Sequence, residues 1–305
     1  MASFKHADYT VAWICALPVE AAAARVMLDK IHNALPQPST DPNAYVLGEL
    51  SGHFIIVACL PIGVYGTVSA ATAVSHLRST FARIDFGIMV GIGGGVPGKG
   101  NDIRLGDLVV SKPVGKYSGV IQYDSGKVVQ GGRFEPTGSL NKPPQVLLTH
   151  MAQLEAKRLT EMADVILSTV EKQTDLLFSS SYHHADDQND CANCDREYLI
   201  HRQPRGTRAP SIHFGLVASG DQVMRDSGTR DRLAEQLGIL CFEMEAAGIM
   251  DRLPTLVIRG ICDYCDSHKQ KRWQGYAALT AAAYAKSLLS TMPINVTTTA
   301  RSEHG

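Results

Sequence analysis

The sequence predicts an α/β fold: a single domain in which a mixed, largely parallel central sheet is flanked by helices. Two observations support this class. Short apolar runs rich in β-branched residues alternate along the chain with longer segments whose apolar residues recur at helical spacing. The short runs have the composition of buried strands, which is typical of parallel sheets covered by helices. With 305 residues, 45% of them hydrophobic, the chain is long enough to bury a sizeable core.

The first half of the chain begins with the apolar run TVAWICA, which predicts a strand. Pro18 follows where a helix would begin, because proline suits the first helical position. Ser51-Gly52 predicts the turn of a hairpin. The predicted strands of this half are 10–16, 45–50, 53–60, 86–90, 106–111, 119–123 and 127–130, and the helices are 20–31 and 67–83. The glycine run 91–95 is predicted to end the strand before it.

The second half continues the alternation. Helical spacing is predicted over 145–178, 243–253 and 273–289, and strands over 212–219, 238–242 and 256–262. Residues 1–9 are interpreted as an N-terminal extension of a domain spanning 10–292. A polar stretch with a Cys-x-x-Cys motif, 179–210, predicts an insertion loop, and the tail 293–305 is predicted to be disordered.

Composition excludes several classes of protein. The 29 basic and 30 acidic residues give a net charge of −1 without a basic stripe, which argues against nucleic-acid and membrane-surface partners. The N-terminus lacks a secretory apolar region, and the apolar runs are too short to cross a membrane. Seven cysteines in mostly apolar surroundings predict buried thiols in a reducing compartment. We therefore expect a cytoplasmic protein.

Candidate functional residues follow the predicted strands, because ligands bind beyond the carboxyl ends of strands in open α/β sheets. Acids at several strand ends, without a metal-ligand pattern, indicate general acid–base chemistry on a neutral or polyhydroxylated substrate. The glycine run lacks the GxGxxG pattern of a dinucleotide site, so NAD is not expected to bind. No other cofactor and no catalytic metal are predicted. The segments concerned are Ala16-Leu17-Pro18-Val19-Glu20, Gly91-Ile92-Gly93-Gly94-Gly95, Ser219-Gly220-Asp221-Gln222-Val223-Met224, Glu243-Met244-Glu245 and Cys262-Asp263.

Each acid also has a structural interpretation. A lone Asp after a strand is often a helix cap, and Glu20 on an Ala-rich helix would ordinarily be a solvated surface residue. Glu245 would be favoured at a helix N-terminus by the helix dipole. The joint arrangement, more than any single residue, indicates a site.

Three segments carry a resemblance to a known family: VGIGGGVP (90–97), FEMEAAGIM (242–250) and VIRGICDYCDSHK (257–269). From about residue 11 to 289 the chain resembles the nucleoside phosphorylase/nucleosidase family, and in particular the nucleoside phosphorylase-like domains of fungal proteins. The resemblance implies an enzyme that cleaves the N-glycosidic bond of a purine nucleoside, with adenosine-type substrates favoured. It also implies a homo-oligomer.

The resemblance implies roles for individual residues. Glu245 would accept hydrogen bonds from ribose hydroxyls, Met244 would pack on the sugar, and Asp263 would donate a proton to purine N7. Protonation requires an acid that stays protonated near neutral pH, and burial at the end of an apolar strand favours this. The remaining substrate-binding residues would be Tyr65, Gly66, Ile92, Gly93, Gly94, Val223, Met224 and Glu243.

The choice between hydrolysis and phosphorolysis depends on three positions. Where phosphorylases place phosphate-binding side chains, this sequence has Glu20, Met89 and Ile92. A carboxylate and two apolar side chains serve a phosphate dianion poorly, whereas a Glu at position 20 can activate water as in the nucleosidases. Hydrolysis is therefore favoured, with Asp263, Glu20 and Glu245 as the catalytic residues and with the nucleoside and water as the reactants.

Alternatives stay open at this stage. Arg25 and Arg104, if they reach the site, would bind phosphate or the 5′-phosphates of a nucleotide. The alternatives are a purine nucleoside phosphorylase, a nucleosidase effector acting on nucleotides such as ATP, and an inactive module that senses a nucleoside. The sensor is disfavoured because it would not need the proton donor.

The cysteine-rich segment allows a further interpretation. Cys191 and Cys194, with His183, His184 and His201 nearby, are of the types that bind zinc, but their spacing matches no standard finger. A structural metal and solvent-exposed thiols are both left open. Cys262 and Cys265 are interpreted as buried thiols, and His268 either as a residue closing over the substrate or as a surface residue.

Overall fold

The computed structural model describes residues 4–98, 100–130, 133–160, 175–184, 191–205, 209–269 and 271–294. Within these ranges, strands and helices alternate as predicted for an α/β domain. The strands are β1 (Val11–Cys15), β2 (Lys30–Ile31), β3 (Tyr45–Leu50), β4 (His53–Cys59), β5 (Phe86–Gly95), β6 (Leu108–Ser111), β7 (Val120–Gln122), β8 (Gly126–Val129), β9 (Arg133–Pro136), β10 (Ile212–Ser219), β11 (Ile239–Glu243) and β12 (Thr255–Asp263). The helices are α1 (Pro18–Met27), α2 (Thr67–Thr80), α3 (Gln145–Thr160), α4 (Ser227–Leu237), α5 (Ala246–Met250) and α6 (Gln274–Ser290).

Ten strands of the described ranges form one central sheet in the order β11-β10-β6-β12-β5-β1-β4-β3-β2, with β7 paired to β10. Parallel pairs run through its middle, where β5 lies between β12 and β1, and β1 pairs with β4. β10 is parallel to β6, β7 and β11. Antiparallel pairs join β12 to β6, β4 to β3 and β3 to β2. The predicted mixed, largely parallel sheet is confirmed.

The sheet closes on itself at one end, which the sequence did not predict. The last residues of β5 pair antiparallel with β11, with Gly94 opposite Phe242 and Gly95 opposite Cys241. Because β11 also pairs with β10, the strands β5, β12, β6, β10 and β11 form a closed ring. Pairing between strands so distant in sequence leaves no local pattern, so the alternation of strands and helices could not reveal this closure.

Helices cover both faces of this sheet. All five residues of β1 are buried. Val11, Trp13 and Cys15 belong to the core formed with α1, α3 and α6, and Ala12 and Ile14 to the core formed with α2 and α5. Burial on both faces explains why this run contains no charged residue.

Two glycines allow unusually close packing of helices near the cavity described below. A Cβ atom at Gly260 would lie 2.0 Å from the carbonyl oxygen of Ala277, and one at Gly248 would lie 1.9 Å from that of Thr67. Backbone at such distances leaves no space for a side chain. Glycine therefore brings α6 against β12 and α5 against α2.

The strands and helices predicted for the first half of the chain are largely confirmed. At the hairpin turn between β3 and β4, Ser51 and Gly52 have φ angles of 50° and 83°, as a tight turn with two positive φ angles requires. The helix predicted over 20–31 ends at Met27, because the chain then extends and pairs with β3 as β2.

In the second half, two predicted helices are too long. The helix predicted over 145–178 is described as α3 and ends at Thr160, and residues 161–174 lie outside the described ranges. Beyond them, Phe178 forms an isolated bridge with Leu199 and is not helical. The helix predicted over 243–253 is limited to α5, because the chain must turn before Pro254 into β12.

β9 and α4 were not predicted at all. α4 had recognisable ends in the sequence: the side chain of Asp226 accepts a hydrogen bond from the N–H of Thr229 at 2.7 Å, and Gly238 ends the helix with a φ of 75°. Its mean hydropathy is low, so the apolar spacing that reveals a helix is weak there.

The segments outside the regular pattern pack on the domain where the structure describes them. In the predicted N-terminal extension, Phe4 stacks on His32 with 4.1 Å between ring centroids, and Tyr9 is fully buried. In the predicted insertion loop, Cys191 and Cys194 are buried. The predicted disordered tail lies outside the described ranges from residue 295 onward.

The longest helix of the described ranges, α6, has 17 residues. Within these ranges no helix has both the length and the apolar character that crossing a membrane requires.

Candidate active site

A cavity of about 690 Å³ opens where β1, β5, β11 and β12 reach their carboxyl ends. Its volume is typical of sites for small molecules. It is lined by Ala16, Leu17, Glu20, Tyr65, Ile92, Gly93, Gly94, Gln222, Val223, Met224, Arg225, Phe242, Glu243, Met244, Glu245, Cys262, Asp263, Cys265, Lys269, Lys271 and Gln274.

The structure brings the predicted site residues together. Every one of them except Gly66 lines this cavity. Gly66 lies beside the cavity, where its backbone N–H opposes the rise in the pKa of the Glu245 carboxyl group. Tyr65 and Val223 are largely exposed, 45% and 56%, which indicates positions at the cavity mouth.

Glu20 is buried at the start of α1, so the interpretation as a solvated surface residue is wrong. Its Oε2 accepts hydrogen bonds from the N–H groups of Ala16 and Leu17 at 2.7 and 3.0 Å. Its Oε1 accepts one from the N–H of Ile92 at 2.8 Å. Burial raises the pKa of Glu20, and the opposing effects of Arg259 and the three amides do not fully offset it.

The glycine run belongs to β5 and does not end the strand as predicted. A Cβ atom at Gly91 would lie 2.3 Å from Glu20 Oε1 and 2.6 Å from Arg259 Nη1. One at Gly94 would lie 2.7 Å from Asp263 Oδ1. The glycines therefore leave the space that these charged side chains occupy beside the strand, which is the close-approach use of glycine in strands.

Arg259, buried behind the carboxylates that line the cavity, was not predicted from the sequence. It is 1% exposed, and Nη2 donates a hydrogen bond to Glu243. Its guanidinium lies 3.9 Å from Glu20 Oε1 and 3.6 Å from Glu245 Oε2. An arginine inside the apolar strand VIRGIC was the available signal, because a buried guanidinium requires carboxylate partners.

Glu245 lies directly before α5, and its carboxylate reaches the start of α2. Burial raises the pKa of Glu245 to about 7, Glu243 adds to the effect, and Arg259 opposes it. The neighbouring Gly66 has a φ of 97°, which suits glycine. Asp221 accepts hydrogen bonds from Thr67 N–H at 2.7 Å and from Thr67 Oγ1 at 2.9 Å, and so holds this turn in place.

Asp263 ends β12 with a side chain 11% exposed. Its Oδ1 accepts a hydrogen bond from the N–H of Cys265 at 2.8 Å, within a turn in which Cys265 has a φ of 56°. Lys269 Nζ lies 3.2 Å from Oδ2. A cation therefore faces the carboxyl group at the end of this apolar strand. Cys262 and Cys265 are buried, as predicted.

The cations that line the cavity differ from those proposed from the sequence. Arg104 pairs with Asp102 at 2.8 Å outside the cavity, and Arg25 is exposed on α1. Neither lines the cavity, whereas Arg225, Lys269 and Lys271 do.

His268 does not close over a substrate and is not a surface residue. It is buried away from the cavity lining, with its ring stacked on Phe178 at 4.4 Å between centroids. Cys191 and Cys194 are 4% and 8% exposed, so the interpretation as solvent-exposed loop thiols is wrong as well. Within the described ranges, the side chains that could hold a metal together are His184, Cys191 and Cys194, outside the cavity.

Replacement of Arg259 tests the charge balance of the cavity floor. We expect Arg259→Met to lower the free energy of unfolding by about 3–5 kcal/mol, because it leaves buried carboxylates without their cation. The loss should be larger at about pH 8 than at about pH 5. Without the guanidinium, the already raised pKa values of Glu20 and Glu245 rise further, so the folded state binds more protons than the unfolded state and loses stability as pH increases.

Urea unfolding at both pH values measures this effect. Arg104→Met is the matched control, since the Arg104–Asp102 pair lies at the surface with Asp102 50% exposed, and we expect a loss of about 1 kcal/mol or less. Equal losses for Arg259→Met at both pH values would show that Arg259 acts through packing alone.

The chain is similar in sequence to several known proteins. The chain is 45% identical over 296 residues to a nucleotide-binding leucine-rich repeat (NLR)-like protein of Hyaloscypha variabilis, covering 92% of this chain and 29% of that protein. It is 25% identical to 5′-methylthioadenosine/S-adenosylhomocysteine nucleosidase of Mycobacterium bovis, covering 93% and 97%. It is also 25% identical to the ATP nucleosidase Cap17 of Escherichia coli, covering 88% and 48%. The chain thus spans less than half the length of two of these relatives.

Solved structures show the same fold. The 5′-methylthioadenosine/S-adenosylhomocysteine nucleosidase of Neisseria meningitidis superposes with a TM-score of 0.62 at 19% identity, covering 93% of this chain and 99% of that one. The model of the Phosphorylase superfamily matches residues 10–290, nearly the whole chain. The chain belongs to the Phosphorylase superfamily, and its relatives include nucleosidases.

Proposed function

We propose that the chain is a purine nucleosidase that hydrolyses the N-glycosidic bond of an adenosine-type nucleoside to free base and ribose. The observation that carries the proposal is the pair of carboxyl groups of Glu20 and Asp263, which line one cavity and contact the same strand at different points. Glu20 contacts β5 at Gly91 and Ile92, and Asp263 contacts it at Gly94. Two to three residues of strand rise about 7–10 Å. This spacing suits a base and an acid with water between them.

Asp263 is proposed as the acid. As the glycosidic bond breaks, the base leaves with the bonding electrons, and a proton delivered to N7 neutralises it. The N–H of Cys265 fixes the carboxyl group at Oδ1, and Lys269 contacts Oδ2. The ammonium group of Lys269 can supply the proton that the positioned carboxyl group of Asp263 passes to N7.

Glu245 is proposed to hold the sugar. Breaking the glycosidic bond leaves positive charge on the ribose ring, and a carboxylate hydrogen-bonded to the hydroxyls stabilises that charge. Glu245 lines the cavity beside Met244, whose side chain would pack on the sugar.

Water is proposed as the nucleophile because the cavity floor is already rich in negative charge. The guanidinium of Arg259 is buried behind this surface and is already shared among Glu20, Glu243 and Glu245. Met89 is fully buried and its sulfur accepts a hydrogen bond from Arg259 at 3.1 Å, so it offers no donor to phosphate. A phosphate dianion beside these carboxylates would be repelled, whereas Glu20 could accept a proton from water.

Identification of the reaction products tests whether water or phosphate is the nucleophile. We expect release of adenine from adenosine at a rate independent of millimolar phosphate, with free ribose and without ribose 1-phosphate. Glu20→Gln should lower kcat by about 10²–10⁴-fold because the amide cannot take the proton from water. Glu49→Gln, a partly exposed carboxylate of β3 paired with Lys30, is the control and should retain activity. Saturable stimulation by phosphate would identify a phosphorylase instead.

The proton donor is tested by Asp263→Asn. We expect kcat to fall by about 10²–10⁴-fold while the affinity for adenosine changes little, because the amide preserves the shape of the side chain but cannot deliver the proton. Asp226→Asn is the matched control, since Asn also caps a helix and Asp226 lies outside the cavity lining. Calorimetry measures the binding. A wild-type chain that binds adenosine without releasing base would be a nucleoside sensor and not an enzyme.

A second candidate function is cleavage of a nucleotide such as ATP. It is favoured by the cations Arg225, Lys269 and Lys271 in the cavity lining, which could face the 5′ end of a bound nucleoside. Lys269 also contacts Asp263, so Arg225 and Lys271, both exposed, are the side chains suited to contact phosphates.

Substrate comparison separates the two candidates. If the substrate is a nucleotide, kcat/KM is higher for ATP than for adenosine, and Arg225→Ala lowers it about tenfold for ATP through loss of a charge-assisted contact. Adenosine cleavage should change less than about twofold. Arg232→Ala, an exposed arginine of α4, is the control. If the substrate is adenosine, the Arg225 variant leaves both values unchanged.

A further inference from the structure

A second cluster of reactive side chains lies outside the cavity, in the predicted insertion segment. One ligand atom from each of His184, Cys191 and Cys194 lies within 4.8 Å of the others. Both cysteines are buried, and the N–H of Cys194 donates to the carbonyl of Cys191 at 3.4 Å, which folds the motif into a tight turn. Two thiols and an imidazole gathered inside a protein form a donor set suited to zinc.

We propose that this segment binds a structural Zn²⁺ through His184, Cys191 and Cys194, with His268 as the fourth ligand. Zn–S bonds of about 2.3 Å and Zn–N bonds of about 2.0–2.1 Å place neighbouring ligand atoms roughly 3.3–3.8 Å apart in a tetrahedron. The ligand atoms of His184, Cys191 and Cys194 need to approach one another by about 1 Å to reach this geometry, a change within the reach of side-chain rotation.

His268 is chosen because its imidazole is buried without hydrogen-bond partners in the described ranges. It is 8% exposed, and neither ring nitrogen has such a partner there. A buried polar group left in this way is costly unless a ligand satisfies it. Its ring centroid lies 5.4 Å from that of His184, and two imidazoles on one tetrahedral zinc have centroids about 5 Å apart.

Asp266 supplies the outer contact that zinc-binding histidines generally have. Its Oδ2 lies 3.8 Å from Nδ1 of His268, and its Oδ1 accepts a hydrogen bond from the N–H of His268 at 2.9 Å. A carboxylate facing Nδ1 orients the ring and leaves Nε2 for the metal. The other nearby histidines, His183 and His201, are exposed and are not needed.

The site would tie the insertion segment to the loop that follows β12. His268 is on that loop, three residues after Cys265, whose N–H holds Asp263. The Oγ of Ser267 on the same loop accepts a hydrogen bond from the N–H of His184 at 2.9 Å. The metal is therefore assigned a positioning role through this loop, independent of the substrate and of the reaction proposed above.

Metal analysis of the purified 305-residue chain tests the site without any substrate. We expect one Zn²⁺ per chain by mass spectrometry, retained on dialysis and removed by a strong chelator with a fall in Tm. Replacement by Co²⁺ should give the charge-transfer absorption of cobalt–thiolate bonds. A chain without zinc and with intact thiols would overturn the proposal, as would a disulfide between Cys191 and Cys194.

Variants test the ligands one by one. Cys191→Ser and Cys194→Ser should lose the zinc, and His184→Gln and His268→Gln should weaken its binding at least tenfold. His183→Gln is the matched control next to His184 and should bind zinc like the wild type. Cys194→His keeps a zinc ligand and should retain the metal, which separates lost ligation from a variant that fails to fold. Full zinc retention in His268→Gln would overturn its assignment as the fourth ligand.

Discussion

The guanidinium of Arg259 is buried against Glu20, Glu243 and Glu245, and these carboxylates could not share one small volume without it. Mutual repulsion and loss of solvation would otherwise force protonation or unfolding. The compensation is incomplete, since the pKa values of Glu20 and Glu245 stay raised. One cation among several acids leaves the cavity floor able to accept protons and hydroxyl hydrogen bonds, but poorly suited to a further anion.

The buried charged side chains also need space beside the sheet, and β5 provides it. Side chains at Gly91 and Gly94 would overlap Glu20, Arg259 and Asp263. Because β5 has glycine at these positions, charged groups from α1 and β12 can lie against its backbone. The glycines of β5 thus leave space for the charged side chains while they continue the strand, which explains why the glycine run is a strand and not a turn.

The sequence predicted the layers and the cavity residues well, because burial patterns and strand ends are local. Glu20, Glu245 and Asp263 were found as acids that follow strands, and all three line the cavity. What it missed depends on distant pairing. Arg259 was hidden inside an apolar run, and the closure of the sheet through Gly94 and Phe242 joins residues far apart in the chain. α4 was missed because its capping residues were visible but its apolar spacing was weak.

Closure of the sheet also decides which strand edges remain exposed. Because the ring from β5 to β11 is closed, the strands of the described sheet that have a neighbour on one side alone are β2 and β7, with two and three residues. Lys30 lies on the first of these. Short edges bearing a lysine are poor templates for an additional strand. A domain of this kind can be held close to other copies or modules at high local concentration with little tendency to aggregate through its sheet.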